Sequence, residues 1–324
     1  MCIRDRADIL RRARGDKDPF GGVKLIMVGD LFQLPPVIKE DFFREIYDTS
    51  YFFSSKSLMA SGMEMVSFEK IYRQKDEKFI SILNKVRDGQ MDDDVFSTLN
   101  SRCIQPENSA GYVEIVTTNA KATAINEMRI NSVPGSLRKF EAIIKGDYPK
   151  EAPVEKTLLI KEGSRVMITR NGGEYVNGSL GVVSSIKNGE IEVVLDRPKD
   201  EEHTKVIITP CSFDKVKYVR NGYKVESEVI GSITQYPIKI GYSITIHKCQ
   251  GLTLDAAMMD VSNSFETGQL YTALSRVKSL EGMYLRQPIP KTIKTSDPVV
   301  NDFYKKTLSN DGIVDPIPME ELEK

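Results

Sequence analysis

The sequence predicts an α/β layer fold with a mostly parallel sheet, interrupted by a small antiparallel β-barrel. Three observations point that way. Up to about residue 160, short β-rich runs alternate with helical patterns, the arrangement that layers helices on a parallel sheet. From about Thr157 to Gln235 the runs are short, β-type and separated by Asn-Gly pairs. After Tyr236 the alternating texture returns, so the barrel reads as an insertion.

The elements follow in order. Val23 to Val28 is a nearly continuous apolar run between Gly21-Gly22 and Gly29-Asp30, the pattern of a buried central strand. Asp76 to Asp88 predicts a helix with Phe79, Ile80, Leu83 and Val86 on one face, Asp76 as N-cap and Gly89 as its end. Tyr112–Val116 reads as a strand, and Thr117-Thr118-Asn119 opens a helix carrying Ala122, Ile125 and Met128. Barrel strands are expected at Arg165–Thr169, Leu180–Ile186, Ile191–Leu195 and Lys205–Ile208. Turns are expected at Asn171-Gly172, Asn177-Gly178, Asn188-Gly189 and Asn221-Gly222. Gly241–Ile246, Ala256–Val261 and Gly282–Leu285 read as strands, Gly268–Arg276 as a helix, and the polar tail carries one weak helix, Asp297–Leu308.

Composition sets outer limits. With 324 residues, two compact units are the default expectation. No apolar run approaches the roughly 18 residues of a membrane helix, and no membrane partner is expected. Four scattered cysteines and two histidines support neither a disulfide framework nor a zinc site, and a reducing cytoplasm is the expected compartment. The net charge of -1, from 45 basic and 46 acidic residues, argues against coating nucleic acid by bulk electrostatics but leaves room for a local groove.

Four motifs carry chemistry. Gly29-Asp30-Leu31-Phe32-Gln33-Leu34-Pro35-Pro36-Val37 follows the expected central strand, at the sheet edge where ligands sit, so Asp30 and Gln33 would project into a site. Glutamine both donates and accepts hydrogen bonds without adding charge, which suits sensing a terminal phosphate or its attacking water. Ile71-Tyr72-Arg73-Gln74 offers a guanidinium fork to a phosphate; alone it is weak, and a surface ion pair explains it as well. Ile244 to Asp255 (ITIHKCQGLTLD) gathers hydroxyls, an imidazole and an ammonium, a set able to hold a nucleic-acid backbone without reading bases. Here His247 also reads as an ordinary half-buried histidine and Cys249 as a small apolar filler; a nucleophilic Cys–His pair lacks its third, orienting group. Gly268 to Val277 (GQLYTALSRV) is a helix with Tyr271 and Leu274 on its packed face and Arg276 at its end. That arginine is placed either to reach a transition state or to cap the helix carbonyls.

In this order the four motifs resemble the RecD/Pif branch of superfamily-one DNA helicases, from about Phe20 to Leu285. GDLFQLPPV is similar to the family's third motif, IYRQ to the fourth, TIHKCQGLTLD to the fifth and YTALSRV to the sixth; Leu159 to Val183 is similar to the start of the family's inserted barrel. The resemblance implies a P-loop NTPase, RecA-like helicase core. It divides the chain into a remnant of a first RecA-like domain (1–70), a second one in two parts (71–156 and 236–290) around the barrel (157–235), and a tail (291–324). It implies that Gln33 senses the γ-phosphate with Asp30 beside it, that Arg73 and Arg276 meet that phosphate, that Thr245, His247 and Lys248 touch the DNA backbone, and that Gln250 and Gly251 sit at the nucleotide-side interface between domains. ATP and Mg2+ are the implied cofactors, single-stranded DNA and duplex junctions the implied partners, 5′ to 3′ the implied direction, and a monomer the implied state.

The departures are specific. Such a motor holds ATP with a Gly-rich loop ending in Gly-Lys-Ser/Thr, and no Gly-Lys dipeptide occurs here. It also uses a strand-terminal Asp-Glu for magnesium, whereas Asp76-Glu77 and Asp200-Glu201 lie in polar surroundings. The region matching the helix after that motif, Arg6–Leu10, begins almost at Met1, so an N-terminal truncation and no ATPase activity in the chain alone are expected. The rival expectation is a degenerate, non-hydrolysing DNA- or partner-binding module.

Overall fold

The computed structural model describes residues 3–36, 45–106, 111–147, 152–196, 204–221 and 224–318. Met1, Cys2, Val37, Gly222 and the Asp200-Glu201 pair lie outside the described residues. The chain divides into two compact units, Met1–Cys103 with Val261–Lys324 (unit 1) and Ile104–Asp260 (unit 2).

Unit 1 opens with α1 (Ile3–Arg14), the short α2 (Lys56–Met59) and β1 (Met63–Glu64), followed by α3 (Glu77–Asp88) and α4 (Asp93–Asn100). Ala7 of α1, Phe20 and Leu58 of α2 form its first small core, with Leu10 and Phe52 against it. Helix α3 begins and ends as the sequence predicts. The Asp76 carboxylate accepts the Lys78 N–H, and Gly89 closes the helix in the left-handed region, while Phe79, Ile82, Leu83 and Val86 are buried.

The expected strand at Val23–Val28 does not form. Residues 23–30 take part in no ladder, and Ile26 and Val28 are 80% and 88% exposed. An apolar run becomes a central strand only where neighbours supply hydrogen bonds on both sides and cover on both faces. Among the described residues nothing pairs with this run, and composition alone cannot hold it in a sheet.

Unit 2 alternates the two expected textures. Its parallel part consists of β2 (Val113–Val116) and α5 (Asn119–Ser132). The two are joined at Thr118, whose hydroxyl caps α5 by accepting the Lys121 N–H. Then come β3 (Arg138–Glu141), β4 (Ile143–Gly146), β5 (Thr157–Ile160), β6 (Arg165–Ile168), β7 (Leu180–Lys187), β8 (Glu190–Leu195), β9 (Lys205–Ile208), β10 (Cys211–Asn221) and β11 (Lys224–Gln235). The unit ends with β12 (Ile238–Ile240), β13 (Ser243–Thr245) and β14 (Ala257–Asp260). Strand β2 lies between β13 and β14, parallel to both. All three are buried along their length, as the interior of a parallel sheet requires.

The antiparallel part is a ladder β12-β6-β7-β8-β9, with β3–β5 and β10-β11-β4 as separate ladders. Leu158, Ile160, Val166, Ile168, Val183, Ile191, Val193 and Ile208 make one core, extended by Tyr236 and Ile238. Asn188 and Gly189 both adopt positive φ between β7 and β8, the tight hairpin that Asn-Gly favours.

Unit 1 resumes with α6 (Gln269–Leu274), β15 (Met283–Leu285), α7 (Pro298–Ser309) and β16 (Ile313–Val314). The expected weak tail helix is α7, capped by the Asp297 carboxylate. It docks through Phe303, stacked on Phe53 at 4.2 Å, and β16 pairs with β1.

Candidate functional site

In unit 1, three of the four motifs meet around the six-residue helix α6. Asp30 turns the chain back on itself. Its Oδ1 accepts the Phe32 N–H at 3.0 Å, and its Oδ2 accepts a hydrogen bond from Gln33 Nε2 at 2.9 Å. This loop lies against the start of α6, where Gly268 has φ +79° and where a Cβ would stand 2.2 Å from the Gln33 carbonyl oxygen. At the other end of α6, Arg73 Nη1 donates to the Ser275 carbonyl at 3.0 Å, and Gln74 Nε2 donates to Ser275 O and Val277 O at 3.2 and 2.8 Å. Arg276 is 2% exposed. Its Nε donates to Thr272 O at 2.8 Å and its Nη2 to Ser275 Oγ at 2.7 Å. The first of these caps a helix carbonyl, and the second holds a side-chain hydroxyl of the residue that ends the helix.

In unit 2, the fifth motif follows the carboxyl end of β13. Residues 246–251 form a turn, not a continuing strand, with Lys248 N–H and Cys249 N–H both donating to Thr245 O at 2.9 and 3.0 Å. His247, Lys248, Gln250 and Gly251 are exposed. Thr245 is only 3% exposed, at the end of a strand that is buried along its length beside β2; the surface it was expected to share is carried by His247 and Lys248. Cys249 is fully buried, with its thiol donating to Ile246 O at 3.1 Å. The turn sends His247 outward and Cys249 inward, so the two do not face one another as a nucleophilic pair. A thiol reagent should therefore label Cys103 and Cys211, both partly exposed, well before Cys249. Labelling of Cys249 first, read by mass spectrometry, would restore the nucleophile reading.

The comparisons with known proteins agree on one family. Residues 4–96 match the family model described as PIF1-like helicase. The ATP-dependent DNA helicase PIF1 of Danio rerio is 31% identical over 307 residues, covering 92% of this chain and 46% of the relative. The Pif1 of Bdellovibrio bacteriovorus is 30% identical over 304 residues, covering 91% and 65%. The crystal structure of Bacteroides sp Pif1 in complex with ADP-AlF4 superposes with a TM-score of 0.79 at 31% identity, covering 96% of this chain and 73% of that one. This chain belongs to the PIF1-like helicase family. Its core is therefore of the RecA-like P-loop NTPase type, and the chain spans about half the length of the curated relatives from animals that it matches.

Within this PIF1-like core, the sequence motifs do not reveal how the Gln33 loop is held. Phe32, next to Gln33, lies under the Arg87 guanidinium at 5.2 Å and meets the Tyr304 ring edge-on at 5.2 Å. Tyr304 is fixed in turn by a 2.7 Å hydrogen bond with Ser67 Oγ. Arg87 stands at the far end of α3, outside any motif, and Tyr304 in a tail that reads as polar; no local signal marks either. Tyr271, expected only to pack, sits in the charge cluster itself. Burial and the Asp30 carboxylate push its phenol up to about 12, against Arg87, Arg276 and Arg73, which pull it down.

A pH dependence follows. Burial and a hydrogen bond to Asp297 also push the Tyr51 phenol up to about 12. Both tyrosines have folded-state values above the unfolded value near 10, so the folded state keeps protons that the unfolded chain releases. Their contribution is complete below pH 10 and is lost as pH rises towards 12. Denaturant unfolding between pH 9 and 12 should show falling stability, with a shallower fall in Tyr271→Phe. An unchanged slope in that variant would place Tyr271 in an ordinary, solvated environment.

Proposed function

We propose that this chain is the part of an ATP-driven DNA helicase that senses the nucleotide's terminal phosphate and grips a single DNA strand. The observation that carries the reading is the gathering of Asp30, Gln33, Arg73 and Arg276 around α6 in unit 1. A neutral amide at one end of α6 and two guanidinium groups at the other suit a γ-phosphate, whose charge is spread over three equatorial oxygens as it is transferred. With ATP and Mg2+ bound in a complete motor, Gln33 would orient the attacking water and Arg73 and Arg276 would offset that charge. The exposed imidazole and ammonium of His247 and Lys248 suit a sugar-phosphate backbone, which is read by charge and not by base.

The relatives support this reading. The Danio rerio and Bdellovibrio relatives are named ATP-dependent DNA helicases, and Bacteroides Pif1 has been solved with ADP-AlF4 and with single-stranded DNA. On this reading the complete protein travels 5′ to 3′ as a monomer, opens duplex at junctions and works in the bacterial cytoplasm, associated with the nucleoid.

The chain of 324 residues contains no Gly-Lys dipeptide to cradle ATP's phosphates. It should therefore bind an oligo-dT strand, by fluorescence anisotropy, with an affinity that falls as salt rises, while releasing no phosphate from ATP. Phosphate release abolished by Arg276→Ala, or no binding to oligo-dT at low salt, would overturn the proposal.

A further inference from the structure

The tail helix α7 belongs to none of the four motifs, yet the fold sets it against the first. The Asp30–Gln33 loop makes its own shape. Asp30 O accepts the Gln33 N–H at 3.3 Å, and the Asp30 carboxylate accepts the Phe32 N–H and the Gln33 amide. These bonds are all local, so they fix a turn without fixing where it stands. Among the described residues the preceding run, 23–30, joins no ladder, so no sheet anchors the turn. Its place must come from packing.

Helix α7 supplies that packing along one face. A small cavity is lined by Leu31, Phe32 and Gln33 of the loop together with Ser296, Asp297 and Val300 around the start of the helix. Asp297 is the N-cap, and Val300 and Tyr304 follow it at three and seven residues, the spacing of one helix face. Tyr304 ends the row by meeting the Phe32 ring edge-on at 5.2 Å, with its hydroxyl 2.7 Å from Ser67 Oγ. The helix is fixed without help from the loop. Phe303 stacks on Phe53, Tyr51 Oη donates to Asp297 at 3.0 Å, the Ile317 N–H donates to Met59 O at 2.9 Å, and β16 pairs with β1.

We propose that α7 is the seat of the Asp30–Gln33 loop and that Tyr304 is its positioning residue, acting on Gln33 through Phe32. The seat is a property of this chain whatever Gln33 meets; its consequence for a phosphate rests on the reading of Gln33 as a phosphate sensor. An edge-on ring pair has a preferred geometry, so it holds Phe32 at one angle as well as in one place. Gln33 is the next residue, and a shift of Phe32 carries the Gln33 amide with it. A misplacement of about 1 Å near reacting atoms can cost about a hundredfold in rate. The tail thereby sets the aim of a side chain some 270 residues before it in sequence, by about that many positions.

The test is hydrogen exchange on the full chain, read by NMR as the protection of the Gln33 amide, with the amides of α3 as reference. Tyr304→Ala should lower Gln33 protection about fivefold, the loss of one aromatic pair, and leave α3 within about twofold. Tyr304→Phe keeps the ring and should restore most of the protection. Phe32→Ala breaks the same contact from the loop side, with the tail intact, and should lower Gln33 protection as much. The double Ala variant should add little, since both changes remove one contact. Unchanged protection in Tyr304→Ala, equal losses in α3, no recovery in Tyr304→Phe, or additive losses in the double variant would each overturn the seat while leaving the sensing reading intact.

A form of the protein that also carries a phosphate-binding loop separates the two claims by turnover. There Tyr304→Ala should lower kcat about tenfold with KM for ATP unchanged, because aim is lost and not binding. Full turnover in Tyr304→Ala where Gln33→Ala stops the motor would overturn Tyr304 as a positioning residue. Full turnover in Gln33→Ala would overturn the sensing reading itself.

Discussion

Gly268→Ala is expected to lower the unfolding free energy of unit 1 by about 3 kcal/mol, from strain in the left-handed region plus a backbone clash. Gly268 has φ +79°, which an L-residue adopts only at a penalty of about 1–2 kcal/mol. The added methyl would also stand 2.2 Å from Gln33 O, 2.7 Å from Gln33 C and 2.8 Å from Phe32 O. All three atoms are backbone, so no side chain can swing aside, and the Asp30–Gln33 loop itself must move away from α6. Gly15→Ala is the matched control in the same unit, with φ +66° and nothing within 4 Å of the added carbon. It carries the conformational penalty alone. Urea unfolding of the two variants should differ by about 2 kcal/mol, the part due to overpacking. Equal losses would mean that the loop does not rest on α6.

The same contact shows where a sequence can and cannot be read. The caps of α3 at Asp76 and Gly89, the Thr118 cap of α5 and the Asn188-Gly189 hairpin are local. Each is decided by a few neighbouring residues whose side chains and φ preferences act on their own backbone, so the pattern carries the outcome. The parallel strands β2, β13 and β14 were legible for a related reason, being short apolar runs that the fold then buries on both faces. Val23–Val28 has the same composition but depends on partners distant in sequence, and composition does not say whether they are there.

The candidate site divides in the same way. Gln33, Arg73 and Arg276 are legible as motif residues, since each brings functional groups suited to phosphate, and Asp30 is legible as the partner of Gln33 in the same motif. Their support is not legible. The close approach of Gly268 to Gln33 and the positions of Arg87 and Tyr304 around Phe32 are made by packing between segments tens to hundreds of residues apart. The buried Thr245 illustrates the opposite error. A hydroxyl in a motif expected to hold nucleic acid suggests contact, but its place in the buried strand β13 decides its exposure.

Arg276→Ala should act twice, and the two effects can be separated. In this chain the guanidinium is buried and donates to Thr272 O and Ser275 Oγ. Ser275 also presents its carbonyl to Arg73 and Gln74. Removing the fork takes partners from buried acceptors at the point where the fourth and sixth motifs join. Charged hydrogen bonds contribute about 1.5–3 kcal/mol each, so a loss of about 3 kcal/mol in urea unfolding is expected. Arg276→Lys keeps the charge but can satisfy only part of that geometry, and should lose about half as much. In a form of the protein that also carries a phosphate-binding loop, a transition-state arginine accounts for a thousandfold or more of turnover. There Arg276→Ala and Arg276→Lys should both fall by about that factor, because a planar fork and a point charge are not equivalent on a phosphate. On the proposed reading, oligo-dT is held by unit 2, so its binding should stay within about twofold in both variants, since neither substitution removes a phosphate contact there. The lysine variant is decisive. If it kept most of the turnover, charge without the fork would suffice, and Arg276 would be a structural cap of α6 and not a finger on the phosphate.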